Sequence, residues 1–168
     1  MRKYLIATVG ILGLAFGCHV LSTSANAGGK DKKEPAKGSD AKIDKLATAT
    51  AEGFMKAVWK QDIDAVMKTV DLPFFFDGVE NLKDRDVLKR KMERLINRDR
   101  SKIEYKLKIQ FRFKDFSPKL TKKSRTLLKD VVADNDRVVV FSVSVSDDLI
   151  GVFTRVRGGK ASVVGFRD

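Results

Sequence analysis

Residues 103–114 read IEYKLKIQFRFK, and this stretch has the clearest periodicity in the chain. Its apolar side chains alternate strictly with charged or amide side chains. A period of two is typical of a β-strand that has one buried and one solvent-facing side. The stretch therefore predicts a long strand whose wet face is basic.

Three further stretches toward the C-terminus also have the pattern of strands. They are residues 137–146, 149–157 and 160–167. Gly158 and Gly159 join the last two strands and supply the positive φ angles that a tight hairpin turn needs. Residues 120–132 fit a helix better than a strand, so the sequence predicts a helix between the long strand and these three.

The chain before residue 103 has the three- to four-residue period of helices. One helix starts near Asp40 and runs to about residue 58, a second begins after Asp62, and a third begins after Asp84. Between the last two, residues 72–76 predict a buried extended segment that ends in an Asp77-Gly78 turn. Helices followed by long antiparallel strands indicate an α+β fold.

The N-terminus predicts export. Residues 1–27 have a cationic start, an uncharged apolar run too short to span a bilayer, and a small-x-small site that ends at Ala27. Cleavage there would give a periplasmic or secreted protein. Lipidation at Cys18, which follows Gly17, is the less favoured alternative.

The residues after Ala27 form a polar linker and then one domain. Residues 28–41 carry no large apolar side chain and predict a flexible charged linker. Residues 42–168 are long enough for one domain with its own core. No second uncharged run is long enough for a membrane span, so none is expected.

Cleavage after Ala27 removes Cys18 and His19, the only cysteine and the only histidine of the chain. The processed protein would then have no disulfide, no Cys or His nucleophile, and no zinc or copper site built on thiolate and imidazole. A metal site would have to be built from oxygen ligands alone, and the sequence has no acidic metal-loop spacing, so we expect no metal and no cofactor. This absence of the commonest catalytic side chains favours a noncatalytic protein.

The charge of the chain is strongly basic and unevenly distributed. The whole sequence has 34 Lys and Arg against 22 Asp and Glu, and residues 83–129 alone hold 18 basic and six acidic residues. An excess of this size favours acidic partners or surfaces, and it places any electrostatic function in the middle third of the chain.

The order of these elements resembles that of the nuclear transport factor 2-like superfamily, over roughly residues 41–168. The resemblance rests on the opening helix through residues 54–66, the break at Leu72-Pro73-Phe74, and the C-terminal strands around Gly158-Gly159. It implies N-terminal helices packed on a strongly curved antiparallel sheet, forming a cone with room for a pocket. The superfamily includes ketosteroid isomerases, polyketide cyclases and binding modules, so the fold does not decide the activity.

The resemblance implies two candidate catalytic residues. Enzymes of this superfamily use an Asp base, an Asp–His pair or a Tyr oxyanion donor in an apolar cone. The Asp–His pair is not available here, because the processed chain has no histidine. This leaves Asp77 as base and Tyr105 as oxyanion donor for a lyase or isomerase. The competing interpretations are a turn carboxylate beside Gly78 and a core tyrosine with its hydroxyl at the rim.

Aromatic residues could line a small hydrophobic ligand pocket, for which Trp59, Phe75 and Phe111 are the candidates. They could equally fill the core. A noncatalytic or small hydrophobic ligand-binding module is the first hypothesis for function, and the lyase or isomerase is the second.

The third hypothesis is a basic module that binds envelope polyanions through Lys106, Lys108 and Arg112 on the wet face of the long strand. A solvated basic face is the alternative. Nucleic acid is not expected, since the aromatic residues alternate to the other face and the predicted export would place the protein outside the cytoplasm. A homodimer is a further expectation, because paired sheets are common in the superfamily.

Overall fold

A computed structural model describes residues 37–98, 103–144 and 148–167 and confirms the predicted α+β class. The predicted signal peptide and most of the predicted linker lie outside the described residues. The helices are Lys37–Trp59 (α1), Ile63–Thr69 (α2), Arg85–Ile96 (α3), Phe113–Phe116 (α4) and Lys122–Lys129 (α5), with a 3-10 turn at Ser117–Lys119. The strands are Val70–Phe76 (β1), Glu80–Leu82 (β2), Tyr105–Arg112 (β3), Arg137–Val143 (β4), Leu149–Arg157 (β5) and Lys160–Arg167 (β6).

The predicted helix starts are confirmed where a side chain caps the helix. Asp62 accepts the N–H of Ala65 at 2.9 Å at the start of α2, and Asp84 accepts two backbone N–H groups at the start of α3. Such caps satisfy donors that the first turn of a helix leaves free. Helix α1 begins at Lys37, a few residues before the predicted start, so its first turn overlaps the predicted linker.

The six strands form one open sheet in the order β2-β1-β6-β5-β4-β3. All neighbouring pairs are antiparallel except β1 and β6, which are parallel. The sheet is therefore mixed and not purely antiparallel as predicted. The reason is that hairpins fix the direction of β4, β5 and β6, whereas β1 reaches β6 from far away in sequence, where no turn dictates direction.

Each face of the sheet has its own apolar core. On the helix face, α1, α2 and α3 cover alternate residues of the strands, such as Val139 and Val152. On the outer face, α4 and α5 cover the residues between them, such as Val138 and Phe153. The middle of the sheet is thus buried on both sides, which explains why β4 reads as a continuous apolar run.

Strand β3 contains a bulge that overturns the strict alternation predicted for residues 103–114. Leu107 pairs with Phe141, but Ile109 pairs with Val140, so two residues of β3 pass one residue of β4 at Lys108. Because side chains alternate with a period of two, an extra residue moves all later side chains to the opposite face. The prediction of one buried and one wet face is therefore wrong beyond Lys108.

The bulge distributes the side chains of β3 over both faces. Paired residues of neighbouring strands point to the same side, so Tyr105, Gln110 and Arg112 lie on the helix face. Ile109 and Phe111 lie on the outer face. Leu107 and Ile109, expected to be buried, are 45% and 48% exposed. Bulges and lysines on an edge strand are devices that discourage pairing with another chain.

Candidate functional site

Trp59 and Tyr105 pack together on the helix face. The Trp59 indole donates to the carbonyl oxygen of Ile103 at 2.7 Å, and its ring centroid lies 4.8 Å from that of Tyr105. The other neighbour of Tyr105 is Phe141, at 5.8 Å between ring centroids. Burial, and secondarily the charge of Glu52, raises the pKa of Tyr105, so its hydroxyl stays protonated at neutral pH.

Phe75 and Phe111, the other two candidates for a ligand pocket, lie on the outer face. Phe75 is fully buried against Phe153, with 5.5 Å between ring centroids, over the bare backbone of Gly165. Phe111 packs on Phe116 at 5.7 Å. The structure therefore does not bring these two rings together with Trp59, because the sheet lies between them.

Asp77 lies in an exposed turn at the end of β1. It adopts a positive φ of 49°, and its backbone N–H donates to the carbonyl oxygen of Phe166 at 2.8 Å. Three strands separate β1 from the strand of Tyr105. The two candidate catalytic residues therefore lie on strands four positions apart, with a spacing of about 4.8 Å per strand along the sheet.

The three candidate polyanion residues differ in their environments. Lys106 and Lys108 are exposed, whereas Arg112 is partly buried and forms an ion pair with Asp40. Lys106 lies on the outer face and Arg112 on the helix face, as a consequence of the bulge. The three cations therefore do not share one face of β3.

A polar network joins α1 to the edge of the sheet, and we call it the seam. Its members on α1 are spaced four residues apart, which places them on one side of the helix. Opposite them lie polar side chains of β3 and β4. The seam consists of Asp40, Asp44 and Thr48 on α1 with Gln110, Arg112 and Arg137 on the strands.

Arg137 is the centre of the seam and is only 2% exposed. Its Nε donates to Asp44 at 2.5 Å, one amino group donates to Asp40 at 2.9 Å, and the other donates to the carbonyl oxygen of Asn135. Gln110 donates to Asp44 at 3.1 Å and accepts from Thr48. A buried guanidinium needs such partners, since an unpaired charge in the interior costs several kcal/mol.

Sequence reasoning missed the seam, although a signal for it exists. Asp40, Asp44 and Thr48 recur at helical spacing beside the apolar stripe of α1, where a polar row predicts contact with something polar. The partner strand could not be identified, because Gln110 and Arg112 reach this face only through the bulge.

A second buried charged group lies under the outer face, around Arg155 and Asp136. The Arg155 Nε lies 4.0 Å from an Asp136 carboxylate oxygen, and its amino groups reach Asp71 at 3.4 Å and the carbonyl oxygen of Val131 at 2.5 Å. Asp136 accepts the N–H of Ala133 at 2.8 Å. Burial outweighs these partners and raises the pKa of Asp136 above its usual value.

The outer surface of α4, the 3-10 turn and α5 carries a cluster of cations that we call the basic layer. Leu120 and Leu128 pack into the apolar core of the outer face and hold this segment on the sheet, and Thr121 caps α5. In the part of the chain that the structure describes, none of the cations forms an ion pair. The basic layer consists of Lys114, Lys119, Lys122, Lys123, Arg125 and Lys129, all exposed.

Within the described residues, no group of three or more Asp, Glu, Cys or His side chains could hold a metal ion. Among the helices that the structure describes, none is both long and apolar enough to cross a membrane.

An open mixed sheet with helices α1 to α3 packed on one face defines an α+β protein, and solved structures of the nuclear transport factor 2-like fold are similar to it at low TM-scores. A nuclear transport factor 2-like protein of unknown function from Cytophaga hutchinsonii is 12% identical, with a TM-score of 0.41 over 72% of this chain and 86% of that one. A designed protein of the same fold is 13% identical, with a TM-score of 0.40 over 77% and 95%. No protein-family model and no curated protein matches the chain. Likeness at this level concerns the fold alone.

Proposed function

We propose that this protein is an exported, noncatalytic binding module that holds an acidic polymer of the cell envelope on its basic layer. The observation that carries this proposal is the set of six exposed cations on α4, the 3-10 turn and α5, none of them in an ion pair within the described residues. Lys119 lies over the ring of Phe111, 4.9 Å from its centroid. Asp115 is the only acidic residue within residues 113–129, and Asp130 follows directly after α5. Unpaired surface cations can bind an anion without first giving up an intramolecular partner.

The positions of the cations suit an extended partner. Lys122, Arg125 and Lys129 recur at three- and four-residue steps, so they follow one side of α5 over about 10 Å at 1.5 Å per residue. The helix is held by its apolar side and by the Thr121 cap, so the cations are presented on a fixed backbone. A preorganised row of charges loses less conformational freedom on binding than a flexible tail does.

An acidic polymer is a better partner for this surface than a lipid bilayer. Helices that lie on membranes combine cations with apolar side chains that enter the lipid. The large apolar residues exposed in the described part of the chain are Val79, Leu107, Ile109 and Leu149, and α4 and α5 contribute none of them. Ile109 and Leu149 lie on the same outer face as the basic layer, but α4, the 3-10 turn and α5 themselves present no exposed large apolar side chain that could enter lipid.

The originally expected cations contribute unequally to this surface. Lys106 and Lys108 are exposed and available, and Lys106 lies on the same outer face as the basic layer. Arg112 is held by Asp40 in the seam. We therefore assign Lys106 and Lys108 an auxiliary role and give Arg112 a structural one.

The other two functional hypotheses have less support. A small hydrophobic ligand would need Trp59, Phe75 and Phe111 in one place, and they lie on opposite faces of the sheet. A lyase or isomerase would need Asp77 near Tyr105, and their strands lie at different positions of the sheet. The charge that raises the pKa of Tyr105, after burial, is that of Glu52 on α1.

Retention on a heparin-type resin tests the proposal. A variant with Lys122→Gln, Arg125→Gln and Lys129→Gln is compared with one that carries Lys45→Gln and Lys56→Gln on α1 and Lys60→Gln directly after it. Both lose three exposed charges, so net charge is matched. We expect only the first variant to elute at clearly lower salt, because charges more than about 10 Å from the bound polymer are screened and contribute little to retention. Equal losses in both variants would leave net charge as the sole cause and end the proposal.

Anionic lipid vesicles in the same comparison separate the two kinds of partner. Polymer binding predicts that the chain is retained on the resin at a salt concentration that already releases it from the vesicles. The reverse order would contradict our choice of an acidic polymer. Export is tested separately, by the mass of the chain recovered outside the cytoplasm, which should correspond to cleavage after Ala27 and not to lipidation at Cys18.

A further inference from the structure

A small cavity opens beside the seam, at the edge of the sheet where β3 ends and α4 begins. Its volume is about 290 Å³. The helix-face side of its wall comes from α1, β3 and β4, and the outer-face side comes from β3 and α4. The lining residues are Asp44, Gln110, Phe111, Arg112, Asp115 and Arg137.

Part of this wall is already saturated with hydrogen bonds and therefore fixed. Arg137 donates to Asp40, Asp44 and Asn135, and Gln110 both donates to Asp44 and accepts from Thr48. These two side chains have little capacity left for a ligand. They hold the other lining residues in position.

Three lining residues keep hydrogen-bonding capacity toward the cavity. Arg112 gives one amino group to Asp40, and its Nε and second amino group have no partner among the described residues. Asp44 accepts both of its bonds on one carboxylate oxygen, Oδ1. Asp115 forms no ion pair within the described ranges. The cavity thus offers one guanidinium and two carboxylates beside the ring of Phe111.

This set of groups selects against ligands that carry only one charge. A simple anion that approached Arg112 would meet the carboxylates of Asp44 and Asp115. A simple cation that approached those carboxylates would meet Arg112 and Arg137. A molecule with both charges a few ångströms apart satisfies all of them, because guanidinium binds carboxylate through paired N–H groups and carboxylate binds ammonium.

We propose that this cavity is a binding site for a small zwitterion, an α-amino acid with a modest apolar side chain. Its carboxylate binds Arg112, its ammonium binds Asp115 and the free oxygen of Asp44, and its side chain lies against Phe111. A volume of about 290 Å³ is at the lower end of the range for ligand pockets, so the site takes one small molecule and not a polymer. The site borders the basic layer, because Asp115 lies on α4 and Lys119 lies over the outer part of Phe111, 4.9 Å from the ring centroid. Zwitterion binding does not depend on polymer binding.

Matched ligands test the requirement for both charges. Leucine is titrated into the ¹⁵N-labelled chain, alongside 4-methylpentanoate, which lacks the ammonium, and 3-methylbutylamine, which lacks the carboxylate. We expect leucine to shift the amide signals of Phe111 and Arg112 with a Kd below about 10 mM, and each half-ligand to bind at least about tenfold more weakly. Half-ligands that bind as well as leucine, or no shift at about 10 mM leucine, would overturn the proposal.

A variant of one lining residue tests the location. Asp115 is exposed and lies outside the hydrogen-bond network of the seam, so Asp115→Asn is expected to fold normally and to weaken leucine binding by about tenfold. Asp130→Asn removes an equally exposed carboxylate from the end of α5 and serves as the control. Unchanged binding in Asp115→Asn, or an equal loss in both variants, contradicts the site. Retention on the heparin-type resin should be the same for the two variants, which keeps this test distinct from that of the basic layer.

Discussion

The seam and the basic layer contain the same kinds of charged side chain but use them differently. In the seam, Arg137 is buried and bound by two carboxylates and a carbonyl oxygen. In the basic layer, six cations are exposed and lack ion pairs within the described residues. Charge that is buried and paired stabilises a fold, and charge that is exposed and unpaired is available to a partner. The count of basic residues in a sequence does not distinguish the two.

The largest effect is expected from Arg137→Ala in the seam. The change removes a buried guanidinium from two carboxylates, but Asp44 is half exposed and Asp40 keeps Arg112, so the expected cost is about 3 kcal/mol, the upper end of the usual range for one substitution. Urea unfolding of the purified chain measures it. Lys122→Ala in the basic layer is the control and should cost no more than about 0.5 kcal/mol. Similar losses in both variants would remove the distinction between the two regions.

The next effect concerns Asp136, the buried carboxylate beside Arg155. Asp136→Ala leaves the Ala133 N–H without its acceptor, with an expected cost of about 1–3 kcal/mol in the free energy of unfolding. Asp134→Ala, in the same turn but exposed, should cost clearly less. Equal costs would show that Asp136 behaves as a surface charge.

The pH dependence of the free energy of unfolding tests whether the pKa of Asp136 is raised in the folded protein. Burial raises the pKa of Asp136 in the folded protein, so the folded state binds this proton more tightly than the unfolded chain does. Its stabilising contribution is therefore complete at low pH and is lost as pH rises through the folded pKa. Between about pH 3 and pH 7, the stability of the wild type relative to Asp136→Asn should decrease. A constant or increasing difference would contradict the assignment.

Variants of Thr121 test whether the cap of α5 helps to hold the basic layer on the sheet. Its hydroxyl oxygen accepts the N–H of Ser124 at 3.2 Å and caps α5. Thr121→Ala should destabilise the protein by about 1 kcal/mol, while Thr121→Ser keeps the acceptor and should be close to neutral. Thermal unfolding of the two variants gives the comparison. Equal effects would mean that apolar packing alone holds α5.

The smallest effect on stability is expected in the basic layer itself. The free energy of unfolding of the variant with Lys122→Gln, Arg125→Gln and Lys129→Gln should differ from that of the wild type by no more than about 0.5 kcal/mol per substitution. A gain in stability at low salt that vanishes at high salt would indicate repulsion among these cations and would strengthen the contrast with the seam. A loss well above 1.5 kcal/mol in total would mean that these side chains have structural partners.

Much of the fold could be predicted from the sequence, because local patterns are enough to decide it. The caps at Asp62 and Asp84, the turn at Asp77-Gly78 and the Gly158-Gly159 hairpin follow from residues a few positions apart, and the structure confirms them. Strands β5 and β6 have the predicted bounds. The short strand β2 and helix α4 were missed, since three or four residues give no periodicity to detect.

The candidate sites were harder to predict, because each depends on contacts between distant residues. One unpaired residue at Lys108 decides that Phe111 faces away from Trp59 and that Arg112 faces Asp40. The alternation of residues 103–114 gives no sign of this bulge, since the pattern of residue types continues unbroken through it. The bulge is a property of the pairing with β4.

By itself, the sequence determined the α+β class, most of the helices and strands, and the concentration of positive charge in the middle third of the chain. These features follow from residue type and short-range periodicity, which are local. Only the tertiary structure decided which cations are buried and paired in the seam and which are exposed in the basic layer. Burial and pairing depend on strand register and on the partner that each face meets, and no short stretch of sequence contains that information.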